Sequence, residues 1–390
     1  MKPLAVYVHI PFCTVKCGYC DFNAYAGMDA LKPSYRDALL AEIDGRAPVL
    51  RGRELTSIHF GGGTPGEVPP PDIQAAIERL SRHAPIAPDA EIGLETNPGT
   101  ASYADLVLLR SAGVNRLSLG AQSFHSEELH FLERIHSPEA TAATVRNARR
   151  AGFQSVSLDL IYGLPGQAME RWQSSLNAAI SLAPDHISCY GLTVEEGTLL
   201  GRQVEDGRVT PIDPDQSADM YELASDTLEA AGFRQYELSN WARPGHESRH
   251  NQVYWRDGDY LGLGAGAHGY LAGERYENIA HPRAYIAALS KSGASLVAHA
   301  YRPDPVTAMS DWLTLRLRLV EGFRPDDFTA KFGLRLEETV GSPLAECSAA
   351  GLIDQSDGSI RLSPRGRQLH SEVAVRLLVH LQASLSAVEV

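Results

Sequence analysis

Short runs typical of β-strands alternate with helical stretches through the first half of this 390-residue chain. Three helical stretches end in the same kind of phrase, at 112–114, 151–153 and 231–233, where glycine follows alanine and can take the left-handed conformation that ends a helix. Strands that alternate with helices form a parallel sheet with right-handed crossovers. The sequence therefore predicts an α/β fold with about six βα units, a partial (β/α) barrel of the TIM type. The predicted strands are 4–10, 56–60, 90–95, 116–120, 155–161 and 186–190.

A proline-rich phrase at 302–305 marks the predicted end of this barrel. A helical pattern over 309–320 comes next, followed by a glycine-ended turn and a short β-hairpin between 350 and 362. A helix that precedes such a hairpin is typical of a winged helix. We therefore predict a barrel domain over residues 1–300 and a small α+β, winged-helix-like domain over residues 301–390.

Charge and apolar pattern limit the partners and the location of the protein. The formal net charge of −13 argues against a broad phosphate-binding surface, because nucleic-acid affinity depends on Lys and Arg. The first residues lack the long apolar stretch of a signal peptide, and no run of about 18 apolar residues occurs. We therefore expect a cytoplasmic protein that does not bind nucleic acid.

Three of the five cysteines, Cys13, Cys17 and Cys20, form a C-x3-C-x2-C run directly after the first predicted strand. Cytosolic thiols are normally kept reduced, so this spacing indicates metal or redox chemistry and not disulfides. Three thiolates on a [4Fe–4S] cluster leave one iron open to another ligand. A zinc site is an alternative that needs a fourth ligand, for which His9 is the candidate. A coincidental group of core cysteines is a third interpretation.

The cysteine spacing resembles the signature of the radical SAM superfamily. Together with the phrases YVHIPFC at 7–13 and GGGTP at 61–65, it resembles the oxygen-independent coproporphyrinogen III oxidase-like family, from residue 5 to about residue 370. The resemblance implies that S-adenosylmethionine (SAM) chelates the open iron through its amino and carboxylate groups. It also implies that the reduced cluster can cleave SAM to a 5′-deoxyadenosyl radical.

Polar residues near the ends of successive predicted strands are candidates to bind SAM. The Glu95 and Asp159 carboxylates can accept hydrogen bonds from ribose hydroxyls. Arg134 can pair with the SAM carboxylate, and Gln122 can add an amide contact. The alternative for each residue alone is a solvated or structurally paired group. The resemblance implies contacts from the following residues: Tyr7, Gly62, Gly63, Thr64, Glu95, Gln122, Arg134 and Asp159.

Phe22 and His250 bear on which activity the chain has. The resemblance implies a further cysteine at position 22 in the true oxidases, where this chain has phenylalanine. Related heme chaperones are expected to share that change, and residues 250–255 resemble their H-N-x-x-Y-W motif, whose histidine is implicated in heme binding. Histidine can ligate heme iron and aromatic side chains can pack on a porphyrin. We therefore expect His250, in a loop, to bind heme. The alternatives are a core phenylalanine at 22 and a histidine that only hydrogen-bonds a neighbour.

The combined features predict a heme chaperone that binds a [4Fe–4S] cluster, SAM and heme and delivers heme to apo-hemoproteins, membrane-associated recipients included. An electron donor and a second copy of the chain, forming a homodimer, are further candidate partners. The first alternative is an oxygen-independent coproporphyrinogen III oxidase, against which Phe22 argues. The second is a radical SAM enzyme that modifies tRNA, against which the net charge of −13 argues.

Two remaining features receive structural interpretations. The phrase at 264–269 matches G-x-G-x-x-G, but it occurs late and has no acidic residue about 20 positions on to bind a ribose. We interpret it as a late strand and loop that lines the same cleft. Cys189 and Cys347 are isolated and are expected to be small core residues.

Overall fold

The computed structural model describes residues 1–289 and 295–386. Contacts divide the chain into two compact units. The barrel unit comprises Met1–Arg234, Trp241–His250 and Asp259–Tyr301. The C-terminal unit comprises Gln235–Asn240, Asn251–Gly258 and the described residues from 302 onward. In the described part of the chain, no helix combines the length and the apolar character needed to cross a membrane.

Strands occur throughout both units. They are β1 (Lys2–Ile10), β2 (Phe12–Cys13), β3 (Tyr25–Ala26), β4 (Arg53–Gly62), β5 (Ile86–Thr96), β6 (Arg116–Gln122), β7 (Ser155–Tyr162), β8 (His186–Gly191), β9 (Arg234–Glu237), β10 (Asn240–Ala242), β11 (Tyr260–Leu263), β12 (His268–Leu271), β13 (Glu274–Asn278), β14 (Val297–Tyr301), β15 (Ile353–Asp354) and β16 (Arg361–Leu362).

Helices follow most of the barrel strands and dominate the C-terminal unit. They are α1 (Lys32–Gly45), α2 (Ala47–Leu50), α3 (Pro70–His83), α4 (Tyr103–Ser111), α5 (Ser126–Phe131), α6 (Pro138–Arg150), α7 (Met169–Ser181), α8 (Leu199–Glu205), α9 (Pro214–Ala230), α10 (Arg249–Trp255), α11 (Pro282–Leu289), α12 (Pro305–Arg318), α13 (Pro325–Phe332), α14 (Leu336–Ala349), α15 (Pro364–Gln368) and α16 (His370–Ser386).

The six predicted strands correspond to β1, β4, β5, β6, β7 and β8, which are neighbours in that order. All five pairings between them are parallel. The carboxyl ends of these strands therefore meet at one edge of the sheet. The predicted α/β fold with a partial barrel is confirmed. The sheet also extends beyond β1, because β11 pairs parallel to it and β12, β13 and β14 follow in antiparallel order.

Glycines end the helices before three barrel segments as predicted. Gly113, Gly152 and Gly232 have φ angles of +106°, +88° and +84°. After α4, the amide of Val114 donates to the carbonyl of Leu109, which closes the helix end with a six-residue loop. The chain can therefore turn back sharply into the next strand.

The core of the barrel unit lies between the sheet and its surrounding helices. Val6 and Val8 share one face of β1, Ile58 and Phe60 share one face of β4, and all four are fully buried in a cluster that also contains residues of the surrounding helices. Cys189 lies in this core and Cys347 in the core of the C-terminal unit, so both are buried as expected.

The G-x-G-x-x-G segment at 264–269 is a loop that follows β11 and enters β12 at His268, and its residues are not among those that line the cavity between the cysteines. A Cβ atom at Gly264 would lie 2.4 Å from the carbonyl oxygen of His9, and one at Gly266 would lie 2.1 Å from the Asn23 amide nitrogen. Asn23 Nδ2 in turn donates to the carbonyl of Ala265 at 3.0 Å. These glycines therefore allow the loop to pack against the segments that lead into and out of the cysteine run.

The C-terminal unit contains helices α12, α13 and α14, followed by the β15–β16 hairpin and two further helices. The helix predicted over 309–320 falls mostly within α12. The winged-helix-like character of this unit stays a prediction, and α15 and α16 both follow the hairpin. Trp312 is central to its core, with ring centroids 4.9 Å from Phe323 and 5.6 Å from Phe328.

Candidate SAM and iron–sulfur site

A cavity of about 420 Å³ opens at the carboxyl ends of the barrel strands, a size typical of small-molecule sites. Most of the predicted site residues line it: Cys13, Cys17, Cys20, Gly62, Gly63, Thr64, Glu95, Gln122, Arg134 and Asp159. The structure therefore brings together side chains that are far apart in the sequence. Tyr7 and His250 lie behind this lining, next to His59.

The glycine turn after β4 is held against the first strand by backbone hydrogen bonds. The amide of Gly63 donates to the carbonyl of Ile10 at 2.8 Å, and the amide of Thr64 donates to the carbonyl of Phe12 at 2.7 Å. A Cβ atom at Gly63 would lie 2.5 Å from the Phe12 carbonyl oxygen. Gly62 has a φ of +109°, which favours glycine. These glycines are required for the turn to reach the cysteine run.

A chain of hydrogen bonds connects two of the cysteines across the cavity. The Thr64 hydroxyl lies 3.4 Å from Cys13 Sγ, and Asn97 Nδ2 donates to the same hydroxyl at 3.1 Å. Asn97 Oδ1 accepts from Arg134 Nη2, while Arg134 Nη1 donates to Cys17 Sγ at 3.6 Å. Arg134 is therefore oriented from both sides, with its charge directed into the cavity.

Gln122 adopts an unusual backbone conformation at the end of β6. Its φ is +63°, and the pairing of β6 with β7 shifts register between Leu119 and Gln122. Left-handed backbone is costly for a residue other than glycine, and such residues cluster at functional sites. A Cβ atom at Gly120 would lie 2.9 Å from both Gln122 Nε2 and Arg134 Nη2. The small residue at 120 therefore leaves room for both polar side chains.

Asp159 lies on β7 between two serine side chains. Ser118 Oγ donates to its Oδ2 and Ser188 Oγ to its Oδ1, both at 2.8 Å. Burial raises the pKa of Asp159, although these serine hydrogen bonds oppose the shift. Each carboxylate oxygen has a second lone pair, so Asp159 can still accept a hydrogen bond from a ligand in the cavity.

The three thiols are unbridged and half-buried around the same cavity. Burial raises the pKa of the Cys13 and Cys20 thiols. Across residues 1–289 and 295–386, no three His, Cys, Asp or Glu side chains converge on a point where they could hold one metal ion. In a [4Fe–4S] cluster each thiolate binds a different iron, and the three thiols that line this cavity are the kind of ligand that such a cluster takes.

The zinc alternative required His9 as a fourth ligand. His9 is buried, and its Nδ1 accepts from the Tyr7 hydroxyl at 3.0 Å. Its Nε2 donates to the carbonyl of Asn23 at 2.9 Å. Both ring nitrogens of His9 therefore have protein partners, which argues against its use as a zinc ligand.

Glu95 links the cavity to a set of stacked rings behind it. Its Oε1 accepts from His59 Nε2 at 2.9 Å. The His59 ring stacks on His250, with centroids 5.1 Å apart and planes at 20°, and on Tyr7, with centroids 6.4 Å apart and planes at 14°. Burial raises the pKa of Tyr7 well above its usual range, so its hydroxyl stays protonated.

The segment expected to be a loop around His250 is instead helix α10, Arg249–Trp255. The Glu91 carboxylate on β5 accepts hydrogen bonds from the backbone amides of Arg249 and His250, and these long-range bonds hold the start of the helix. His250 is only 1% exposed, and its Nδ1 lies 2.9 Å from the Ser57 hydroxyl. Burial lowers the pKa of His250 well below its usual range, so the ring is neutral.

Phe22 lies at the opening of the cavity and is 63% exposed. It is therefore not the core residue that one interpretation of the sequence suggested. Val15 and Tyr190 also line the cavity and are 41% and 42% exposed. The entrance is thus partly apolar.

Sequence reasoning missed two residues of the site, Asn97 and His59. Asn97 lies two residues after Glu95, and its position just after a strand was a signal that could have identified it. His59 gave no such signal, because a polar residue inside an apolar strand can face many environments. Its role becomes visible only when β4 is placed between β1 and β5.

Comparisons with known proteins show the class to which the chain belongs. Residues 7–179 match the radical SAM superfamily, and residues 304–369 match the HemN C-terminal domain. The solved structure of coproporphyrinogen III oxidase (HemN) from Escherichia coli, a radical SAM enzyme, superposes with a TM-score of 0.84 at 26% identity, covering 96% of this chain and 90% of the other. The fold and the cysteine-lined cavity thus define a protein of the radical SAM class, a class that implies a [4Fe–4S] cluster and SAM.

More similar sequences narrow the family. The heme chaperone HemW of Mycobacterium tuberculosis (strain H37Rv) is 38% identical over 381 residues, which are 97% of this chain and 95% of the relative. HemW of Escherichia coli (strain K12) is 36% identical over 375 residues, 94% of this chain and 96% of the relative. The chain belongs to the HemW family of radical SAM proteins.

Proposed function

We propose that this protein binds heme and delivers it to apo-hemoproteins, using a barrel that also holds a [4Fe–4S] cluster and SAM. The observation that carries the proposal is the similarity to HemW chaperones from several bacteria, at 35–38% identity over most of the chain. The exposed Phe22 at the cavity entrance supports it, because an oxidase is expected to have a cysteine there.

The cysteine-lined cavity suits the two cofactors. Cys13, Cys17 and Cys20 would ligate three irons, and the cavity beside them would accept SAM. When bound, the cluster and SAM supply one-electron chemistry. The proposed SAM contacts are Tyr7, Gly62, Gly63, Thr64, Glu95, Gln122, Arg134 and Asp159.

Each charged contact has a distinct task in this proposal. Arg134, held by Asn97, places a cation where a carboxylate of SAM would sit. The Asp159 and Glu95 carboxylates, which line the same cavity, would accept hydrogen bonds from ribose hydroxyls. The low exposure of Thr64 keeps water away from its contact with Cys13.

His250 is the proposed heme ligand, and it must leave its buried position to reach iron. Its ring is neutral, as iron ligation requires, since the ligating nitrogen must be deprotonated. Rotation of the ring away from Ser57 and His59 would present it to heme. Recipient apo-hemoproteins, membrane-associated ones included, together with an electron donor and a second copy of the chain, are the proposed partners.

Coproporphyrinogen III oxidation is the second candidate, favoured by the TM-score of 0.84 against that enzyme. One experiment separates the two functions. Anaerobically reconstituted protein is titrated with heme and, in parallel, incubated with coproporphyrinogen III, SAM and a reductant. We expect saturable heme binding and no protoporphyrinogen IX. Product formation at enzyme-like turnover would overturn the chaperone proposal.

Variants then assign the two sites. Cys17→Ser should abolish the visible absorbance of the cluster, whereas Cys347→Ala, a cysteine in the other unit, should retain it. His250→Ala should weaken heme binding and spare the cluster. An unchanged heme spectrum and affinity in His250→Ala would show that another residue ligates the iron.

A further inference from the structure

His59 lies between the SAM cavity and His250, and its two ring nitrogens differ in environment. Nε2 lies 2.9 Å from Glu95 Oε1, and a carboxylate oxygen at that distance accepts a hydrogen bond. Nδ1 is buried without a hydrogen-bond partner, and a Cβ atom at Gly93 would lie only 2.6 Å from it. A buried nitrogen without a partner is unusual and often marks a functional role. The ring is therefore held in one orientation, in which Nε2 carries the proton and donates it in a hydrogen bond to Glu95.

The position of Glu95 depends on this hydrogen bond. The Glu95 side chain is 41% exposed and faces the cavity, so no packing encloses it on that side. Beside its carboxylate, the missing side chain of Gly61 leaves space, because a Cβ atom there would lie 3.0 Å from both Glu95 Oε1 and the Tyr7 ring. Since a glutamate has several rotamers available in a partly open site, His59 selects the one that points toward the ligand.

The position of His59 depends in turn on His250. The two rings stack with centroids 5.1 Å apart and planes inclined by 20°. Tyr7 packs beside both rings, with centroids 6.4 Å from His59 and 6.5 Å from His250. Removal of the His250 ring would leave one face of His59 without its packing partner. The ring of His59 could then tilt away from Glu95.

We propose that His59 is a positioning residue that holds Glu95 for SAM, and that its stacking on His250 couples the heme ligand to the SAM site. This inference rests on the proposed contact of Glu95 with SAM and on His250 as the proposed heme ligand. When the His250 ring leaves the stack, SAM would bind more weakly. By reciprocity, bound SAM would make it less favourable for His250 to leave the stack, and heme would then bind more weakly.

Two pairs of variants test the coupling by SAM affinity, measured by equilibrium dialysis with cluster-reconstituted protein and no heme. His59→Phe retains the stacked ring and removes the donor to Glu95, so we expect SAM to bind about tenfold more weakly. His59→Gln retains a nitrogen donor at a similar reach, and it should restore affinity to within about threefold of the wild type. A purely structural role would make the phenylalanine the better replacement.

At the other end of the stack, His250→Ala should weaken SAM binding about fivefold, an effect on the scale of one lost aromatic contact. His250→Phe keeps a flat ring and should bind SAM like the wild type, although it cannot ligate iron. His370→Ala, a partly buried histidine of the C-terminal unit, controls for general destabilisation and should leave the SAM affinity unchanged.

SAM affinities of His59→Phe and His250→Ala that both lie within twofold of the wild type would overturn the inference. A heme titration of the wild-type protein with and without saturating SAM then tests reciprocity, and we expect heme to bind more weakly when SAM is present. Equal heme affinities in the two titrations would overturn the coupling to heme. Absence of any heme binding would overturn the proposed function, while the SAM affinities would still decide the role of His59.

Discussion

Gly63→Ala should destabilise the protein and disturb its cluster site. The new Cβ atom would lie 2.5 Å from the Phe12 carbonyl oxygen and 2.9 Å from both the Ile10 oxygen and the Phe12 nitrogen. All three are backbone atoms of residues with buried side chains, Ile10 at the end of β1 and Phe12 in β2, so the turn must move. Overpacking of this kind costs about 1–3 kcal/mol. The turn would also lose the hydrogen bonds of Gly63 and Thr64, each of which contributes about 1 kcal/mol.

The expected loss is therefore about 3–5 kcal/mol, a large part of the ~5–15 kcal/mol by which typical domains are stable. Urea unfolding followed by circular dichroism measures it, and the visible absorbance of reconstituted protein reports the cluster. Gly45→Ala is the control, because no atom lies within 4 Å of its Cβ position at the end of α1, and it should be neutral or stabilising by about 0.5 kcal/mol. A Gly63→Ala variant that unfolds within about 1 kcal/mol of the wild type and keeps its cluster would refute this reasoning.

Two other substitutions test the site and its surroundings. Asn97→Ala removes the hydrogen-bonded bridge between Thr64 and Arg134. SAM should then bind about tenfold more weakly in an anaerobic titration. An unchanged dissociation constant would contradict this role of Asn97. Burial lowers the pKa of His136 from 6.5 to about 4, so the folded state resists protonation and loses stability as the pH falls through this window. His136→Gln, which can still donate to the Ala121 carbonyl, should lose less stability between pH 7 and pH 5 in urea titrations, and equal losses would contradict the assignment.

Much of the fold could be predicted because its determinants are local. Buried parallel strands appear as continuous apolar runs, and the left-handed glycines at 113, 152 and 232 end helices whatever their tertiary neighbours. The cysteine spacing likewise needs only one loop. These features are encoded within a few residues of each other.

The features that escaped prediction depend on contacts between distant segments. Helix α10 forms where a loop was expected because Glu91, on a different strand, accepts hydrogen bonds from its first amides. Asn97 joins Thr64 to Arg134 only when the turns after β4, β5 and β6 lie side by side. Local sequence carries no record of such register, so these relations appear only in the folded chain.

The buried position of His250 also bears on how a heme chaperone can release its cargo. If His250 is the heme ligand proposed above, leaving the hydrogen bond to Ser57 and the stacked ring of His59 would cost about 2 kcal/mol, taking about 1 kcal/mol for each contact. The apparent affinity is the intrinsic affinity multiplied by the fraction of molecules in which the His250 ring has left the stack. Heme would therefore bind roughly 30-fold more weakly than to an exposed histidine. The vacated stack would compete with heme for the His250 ring, and this competition would favour release. Transfer to a recipient with a preformed axial ligand would therefore be favourable.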